Sequence, residues 1–264
     1  MGKGKKTVLV LSTGRTGTNF IGELFNRHPN VTAFHEPRPS RIIRMWSIAR
    51  IEGKAARDDI AEVLFSKRRK LLASVDTPIY VESNPYLFGA ADCLNEIFEN
   101  PVIINIVRDP RDYIKSSLNH GNARGLKYFL NRFVPFWYPK TYKILGLPKG
   151  ESLVVRNAQY WHILNHWLKS SLHNLENYHE FRFEDLFHAS DTIELKRLAR
   201  AIGIEESFID KSDLSATNRS VDNAIASWQE WSREDCRSLE DLCRPIMDRH
   251  GYGKEAEWLA KIGD

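Results

Sequence analysis

The stretch Ser12-Thr13-Gly14-Arg15-Thr16-Gly17-Thr18-Asn19 gathers two glycines, four hydroxyls and one fixed positive charge directly behind the apolar run VLVL. A strand that turns through such residues into a helix brings several backbone N–H groups and a helix N-terminus to one point. Unpaired donors and the helix dipole there both favour an anion such as phosphate or sulfate. Gly14 and Gly17 permit the tight turn, the hydroxyls add donors, and Arg15 is charged at every accessible pH. The ATP-binding pattern G-x-x-x-x-G-K-[ST] is not met, because no Gly-Lys-Ser/Thr ending is present. The competing reading is a glycine-rich turn with no ligand.

A second stretch, INIVRDPRDYIKSSL, repeats the geometry. Asp109 suits a helix N-cap and Pro110 the first helical position, which leaves Arg108 at the end of a strand and Ser116 on the following helix. Ligands of a doubly wound sheet bind at the carboxyl ends of its strands, so both loops are expected to open on one crevice. Arg108 paired with Asp112 on the surface is the alternative.

The elements needed to hold these loops are legible as short β-branched runs alternating with helical patterns. Strands are predicted at 7–12, 31–35, 78–83, 102–108 and 178–183. Helices are predicted at 17–27, 40–50, 55–73, 87–98, 110–118, 152–176, 191–202, 232–249 and 254–261. Several strands are apolar at nearly every residue, as strands covered on both faces are. The expected fold is α/β: a parallel sheet of about five strands with helices on both faces, like that of the P-loop NTPases. One domain over 1–264 is expected. Two long segments interrupt the alternation, an aromatic, proline- and glycine-rich one at 119–150 and a polar one at 212–231.

The composition narrows the functional classes. A chain of 264 residues with 42% hydrophobic residues can bury a large core without disulfides or metals. A net charge of +4 suits anionic ligands but not a dedicated nucleic-acid binder, so no nucleic-acid partner is expected. Cys93, Cys236 and Cys243 form no disulfide framework or metal site and read as buried thiols of a reduced, cytoplasmic protein. The opening MGKGKKTVLVLS turns strand-like too early for a signal peptide, and no run reaches the ~20 apolar residues of a membrane span.

Trp161, Leu164, Leu168 and Leu172 fall at helical spacing and read as core. His162 and His166 share a helix face without a third ligand, and no His/Cys/Asp cluster has metal-ligand spacing. The run SKRRK, 66–70, reads as a solvated helix face; contact with an acidic acceptor or a peripheral membrane surface is the alternative.

With both loops in view, the sequence resembles the sulfotransferases that use 3′-phosphoadenosine 5′-phosphosulfate (PAPS), in particular the carbohydrate-type and bacterial ones. There a strand–loop–helix with Lys or Arg before Ser/Thr-Gly-Thr holds the 5′-phosphosulfate, and GRTGTN matches it. The pattern Arg-[DN]-Pro-[KR]-Asp, with a serine eight residues after the arginine, holds the 3′-phosphate, and RDPRDYIKS matches that. FRFEDL at 181–186 resembles the family's Tyr-Glu-Asp-Leu, and the tail from Trp228 through RPIMDRHGY resembles its C-terminal helix, so the likeness runs from about residue 7 to 252.

The resemblance implies a nucleotide site made of Thr13, Gly14, Arg15, Thr16, Gly17, Thr18, Asn19, Arg108 and Ser116, joined by Arg219, Ser220 and Trp228. PAPS is the implied co-substrate, PAP (its desulfated form) the product, and no metal is invoked. Arg15 stands where a lysine is more usual. The segment 119–150 is expected to shape the acceptor pocket. A hydroxyl acceptor loses a proton as it attacks, and Glu36 in TAFHEPRP, just past the second strand, is the first choice of base. His35 beside it and Glu82 in VESNPYLF are the alternatives, while a salt bridge to Arg38 or Arg41 is the structural reading of Glu36. The VESNPYLF stretch departs from the family's Glu-Lys-[ST]-Pro-x-Tyr, with Ser83 and Asn84 in place and no lysine. Two rival classes remain: a nucleotide kinase or NTPase on the same sheet, and a non-catalytic polyanion-binding protein. The acceptor and the oligomeric state are not legible.

Overall fold

The computed structural model describes residues 4–119, 152–213 and 227–263. The described elements, numbered in chain order, begin with β1 (Lys6–Ser12), α1 (Thr18–Phe25), β2 (Val31–His35), α2 (Ser40–Ile51), α3 (Arg57–Ala73) and β3 (Ile79–Ser83). A 3-10 helix (Pro85–Cys93), α4 (Leu94–Phe98), β4 (Val102–Val107), α5 (Pro110–Asn119), α6 (Leu153–Leu172) and β5 (Tyr178–Arg182) follow. Last come α7 (Phe183–Phe187), α8 (Ile193–Ile202), a short 3-10 turn (Glu206–Phe208), α9 (Arg233–His250) and α10 (Ala256–Ile262).

The chain forms two compact units, residues 1–107 with 167–219, and residues 108–166 with 220–264. The first contains the whole sheet. Its five strands run parallel in the order β2-β3-β1-β4-β5, so β1 is central and β2 is an edge. The fold is α/β, a five-stranded parallel sheet flanked by helices. The predicted strands are all present, each within a residue of its expected ends.

Burial explains why these runs became strands. β4 is buried at all six of its residues and β1 at six of seven. A two-sided apolar strand is stable only under helices on both faces. One continuous core joins Val8 and Val10 of β1 to Ile21, Leu24 and Phe25 of α1, to Ile104 and Ile106 of β4, and to Leu195, Leu198 and Ile202 of α8. In the second unit Trp161 is buried and its indole N–H donates to the Arg108 carbonyl at 3.0 Å. The stripe that it opens with Leu164, Leu168 and Leu172 is buried throughout, as its spacing predicted.

The register sets the sheet's carboxyl edge. His35 pairs with Ser83, Ser83 with Val10, and Ser12 with Ile106. β2 and β3 therefore end level with Val10, whereas β1 and β4 run on to Ser12 and Val107.

The structure also departs from expectation. The helix predicted at 87–98 is instead the 3-10 helix followed by α4. Asn84 caps the 3-10 helix by accepting from the Tyr86 N–H at 3.0 Å, and Gly89 packs so closely on α2 that a Cβ would lie 2.3 Å from Ser47 Cα. Strand β5 stops at Arg182, and Phe183 opens the unpredicted α7. Arg68, inside the run read as a solvated face, is fully buried. The long segments at 120–151 and 214–226 lie outside the described residues, and with them the expected acceptor insertion, Arg219 and Ser220.

Candidate functional site

Between β1 and α1 the backbone takes a course that ordinary residues avoid. Gly14, Arg15 and Gly17 all sit at positive φ, 83°, 57° and 71°. Glycine does this freely, whereas a side chain in the left-handed region costs about 1–2 kcal/mol. Arg15 accepts that cost and is exposed. Gly17 is doubly constrained, because a Cβ there would lie 2.6 Å from the Phe187 ring of α7.

The turn leaves donors for a ligand. Gly17 caps α1 with no side-chain hydrogen bond, so the first-turn N–H groups have no side-chain cap. Among the described residues, Thr13 Oγ1 and Thr16 Oγ1 are buried and meet no hydrogen-bond partner. Buried hydroxyls are nearly always satisfied, so two without a partner beside an uncapped helix start make this turn the candidate anion site. The Gly14 N–H is taken internally by Ser12 Oγ at 3.0 Å, and the Asn19 amide donates to Glu23 at 2.7 Å.

At the sheet edge Ser83 joins this turn to the end of β2. Its hydroxyl donates to the Thr18 carbonyl at 2.6 Å, at the start of α1. Its carbonyl accepts the Glu36 N–H at 3.0 Å and lies 3.1 Å from His35 Nδ1. Because a carbonyl only accepts, that ring nitrogen carries a proton. His35 Nε2 then faces Glu36 Oε1 at 3.6 Å, both side chains about 30% exposed. Glu36 itself stands at φ 45°.

Glu82, the third candidate base, has another role. It is fully buried, and its carboxylate accepts from Arg68 Nε at 2.7 Å, Arg68 Nη2 at 2.8 Å, Tyr80 Oη at 2.7 Å and Asn84 Nδ2 at 2.8 Å. A carboxylate with four donors and no exposure has no lone pair to offer an acceptor. Burial works against the Arg68 guanidinium, but hydrogen bonding to Glu82 and its charge outweigh that and hold the group above its usual value. Burial and Glu82 together push the Tyr80 phenol well above its usual value.

The second anion segment begins the second unit. Asp109 accepts the Arg111 N–H at 2.8 Å and Pro110 opens α5, as the motif predicted. Arg108 and Ser116 are half-buried. Arg111 is nearly buried; it donates to Asp109 at 3.0 and 2.5 Å and to Glu255 at 2.8 and 3.0 Å. Its guanidinium lies 5.5 Å from the Trp228 ring and 5.0 Å from the Trp258 ring. Burial opposes the Arg111 charge, yet the two carboxylates outweigh it and hold the group well above its usual value. Burial pushes Asp109 upward against Arg111's pull; the two-point contact is that of an ion pair. Trp228 packs edge-on to Trp258 at 5.3 Å.

Sequence reasoning missed the roles of Ser83 and Arg68. Ser83 carried no signal beyond its place at a strand end. Arg68 did: it falls in phase with Ile60, Leu64 and Leu72, all buried, on the inward stripe of α3.

A central strand that turns through a glycine-rich loop into a helix, in a parallel sheet, places the chain in the P-loop-like class of α/β proteins. The sulfotransferase-domain family matches residues 5–233, and the chain belongs to that family. It is a sulfotransferase. Two solved structures share the fold. The sulfotransferase domain from the curacin biosynthetic pathway is 13% identical, with a TM-score of 0.51 over 94% of this chain and 98% of that one. The sulfotransferase from Alicyclobacillus acidocaldarius is 13% identical, with a TM-score of 0.54 over 96% and 98%. No curated protein matches the sequence. No described helix is long and apolar enough to cross a membrane.

Proposed function

We propose that the protein moves the sulfuryl group of PAPS to a hydroxyl, or an amine, of an acceptor, a carbohydrate or glycolipid, by in-line transfer. The observation that carries this reading is the pair of buried, unpartnered hydroxyls of Thr13 and Thr16 beside the uncapped start of α1. Such a cradle fits a tetrahedral anion, and the chain's family transfers sulfate.

PAPS supplies an activated sulfuryl group on a nucleotide leaving group. The loop of Thr13, Gly14, Arg15, Thr16, Gly17, Thr18 and Asn19 binds the 5′-phosphosulfate through N–H groups and hydroxyls. Arg15 stabilises the negative charge that builds on the leaving oxygen, a contribution of ~10²–10³ in rate for a well-aimed donor. It donates hydrogen bonds without giving up its proton. Arg108 and Ser116 grip the 3′-phosphate, with Arg219, Ser220 and Trp228 at the nucleotide's other contacts. Residues 119–150 shape the acceptor site.

Glu36 takes the acceptor's proton, worth roughly 10²–10⁴ in rate. His35, its Nδ1–H engaged by the Ser83 carbonyl, keeps Nε2 turned to Glu36 and shares the proton received. The choice of Glu36 over Glu82 is supported by the saturation and burial of Glu82.

Incubation with ³⁵S-labelled PAPS and a panel of glycans, glycolipids and small phenols tests the proposal. Label on a sugar hydroxyl is the expected result. Absence of transfer to every acceptor, together with no calorimetric heat on adding PAP, would overturn it.

A further inference from the structure

Glu36 is tethered on both sides. Its amide is held by Ser83, as described. The two carbonyls that follow it, of Pro37 and Arg38, accept from Arg68 Nη2 at 3.1 Å and Nη1 at 3.4 Å. The same guanidinium uses Nε and Nη2 to grip Glu82. One arginine, fully buried, thus spends its donors on a carboxylate of β3 and on the backbone immediately beyond the candidate base.

Physical economy argues against a purely structural role. A buried ion pair loses solvation that its attraction barely recovers, and apolar residues of like size are often as stable. A lysine would satisfy Glu82's charge but has one nitrogen, not a planar fork reaching in several directions. Glu36, meanwhile, needs external restraint. It sits at φ 45°, a left-handed conformation disfavoured for a residue with a side chain, and Pro37 follows it. Strained residues of this kind persist only where surrounding contacts hold them.

We propose that Arg68, aimed by Glu82, which Tyr80 and Asn84 hold in turn, is a positioning residue that clamps the Pro37 and Arg38 carbonyls and so fixes the Glu36 carboxylate for proton removal. The inference rests on the reading of Glu36 as the base. Arg68 touches no reacting atom; it acts through the backbone.

The test is Arg68→Lys, which keeps a positive charge opposite Glu82 and removes the reach to the two carbonyls. The expected result is a loss of at least tenfold in kcat with PAP affinity within twofold of wild type. Amide hydrogen exchange should quicken in residues 36–40 and stay unchanged in β1. Turnover within twofold of wild type overturns the proposal, as does a parallel loss of turnover and PAP affinity, which would mark a merely structural residue. Should Arg68→Lys fail to fold, the double variant Arg68→Met with Glu82→Leu removes both charges together. It is expected to show the same selective loss of kcat, and wild-type kcat in it overturns the clamp. Wild-type turnover in Glu36→Gln would sink the base assignment instead. Exchange separates the two failures, because an unchanged 36–40 segment in Arg68→Lys overturns the clamp itself.

Discussion

Arg15 and Glu36 share an unusual backbone: each leaves a parallel strand of the same sheet and each holds a side chain at positive φ, 57° and 45°. Strain of this kind clusters where function needs it. Glu36→Gly should therefore be more stable than Glu36→Ala by about 1 kcal/mol, since glycine alone is at ease there. Thermal or urea unfolding of the two variants checks this, and equal midpoints would contradict it.

The proposed function assigns both residues to the transfer step. Glu36→Gln should lower kcat by ~10²–10⁴ while PAP binds as before. Arg15→Ala should lower it by ~10²–10³. Steady-state transfer with labelled PAPS, paired with calorimetry on PAP, distinguishes loss of turnover from loss of affinity.

Arg108→Ala should instead weaken PAP itself. Charge-assisted hydrogen bonds contribute about 1.5–3 kcal/mol, so a drop of roughly 10–100-fold in affinity is expected. Equal affinity in mutant and wild type would remove Arg108 from the nucleotide site.

Cys93 should be inert in the native protein. Burial, with Asp92 adding to it, pushes its thiol up to about 12, and Sγ lies 3.1 Å from the Ala90 carbonyl. Only thiolate reacts with alkylating reagents. Mass spectrometry after iodoacetamide treatment at pH 8 should find Cys93 unmodified until denaturant is added.

Acid should destabilise the fold partly through His179 on β5. Burial, then the charges of Arg197 and Lys6, hold its imidazole below the usual 6.5. Below 6.5 the unfolded chain takes up a proton that the folded one refuses, so stability falls as pH drops through that window and levels off beneath the folded value. Thermal midpoints between pH 7.5 and 5.5 should fall more steeply for wild type than for His179→Gln.

What was legible follows from where the information lies. β1 and β4 announce themselves because two-sided burial demands unbroken apolar runs, and the turn at 12–19 because its positive φ values call for glycines at 14 and 17. The proline-led start of α5 was equally local. Arg68 was misread because the charges of SKRRK are visible in sequence whereas the buried partner on β3 is not. Glu82 was ambiguous for the same reason: its four donors come from two elements and a loop residue. The 3-10 course of 85–93 depends on how closely Gly89 approaches α2, a distance no local pattern encodes.

The contact between Gly17 and Phe187 has an evolutionary corollary. Position 17 lies in the turn between β1 and α1 and position 187 at the end of α7, about 170 residues later, yet a methyl at the first would collide with the ring at the second. The two positions cannot drift independently. A descendant that swaps the aromatic for something small gains room to alter the turn, and one that keeps it inherits the glycine as an obligation.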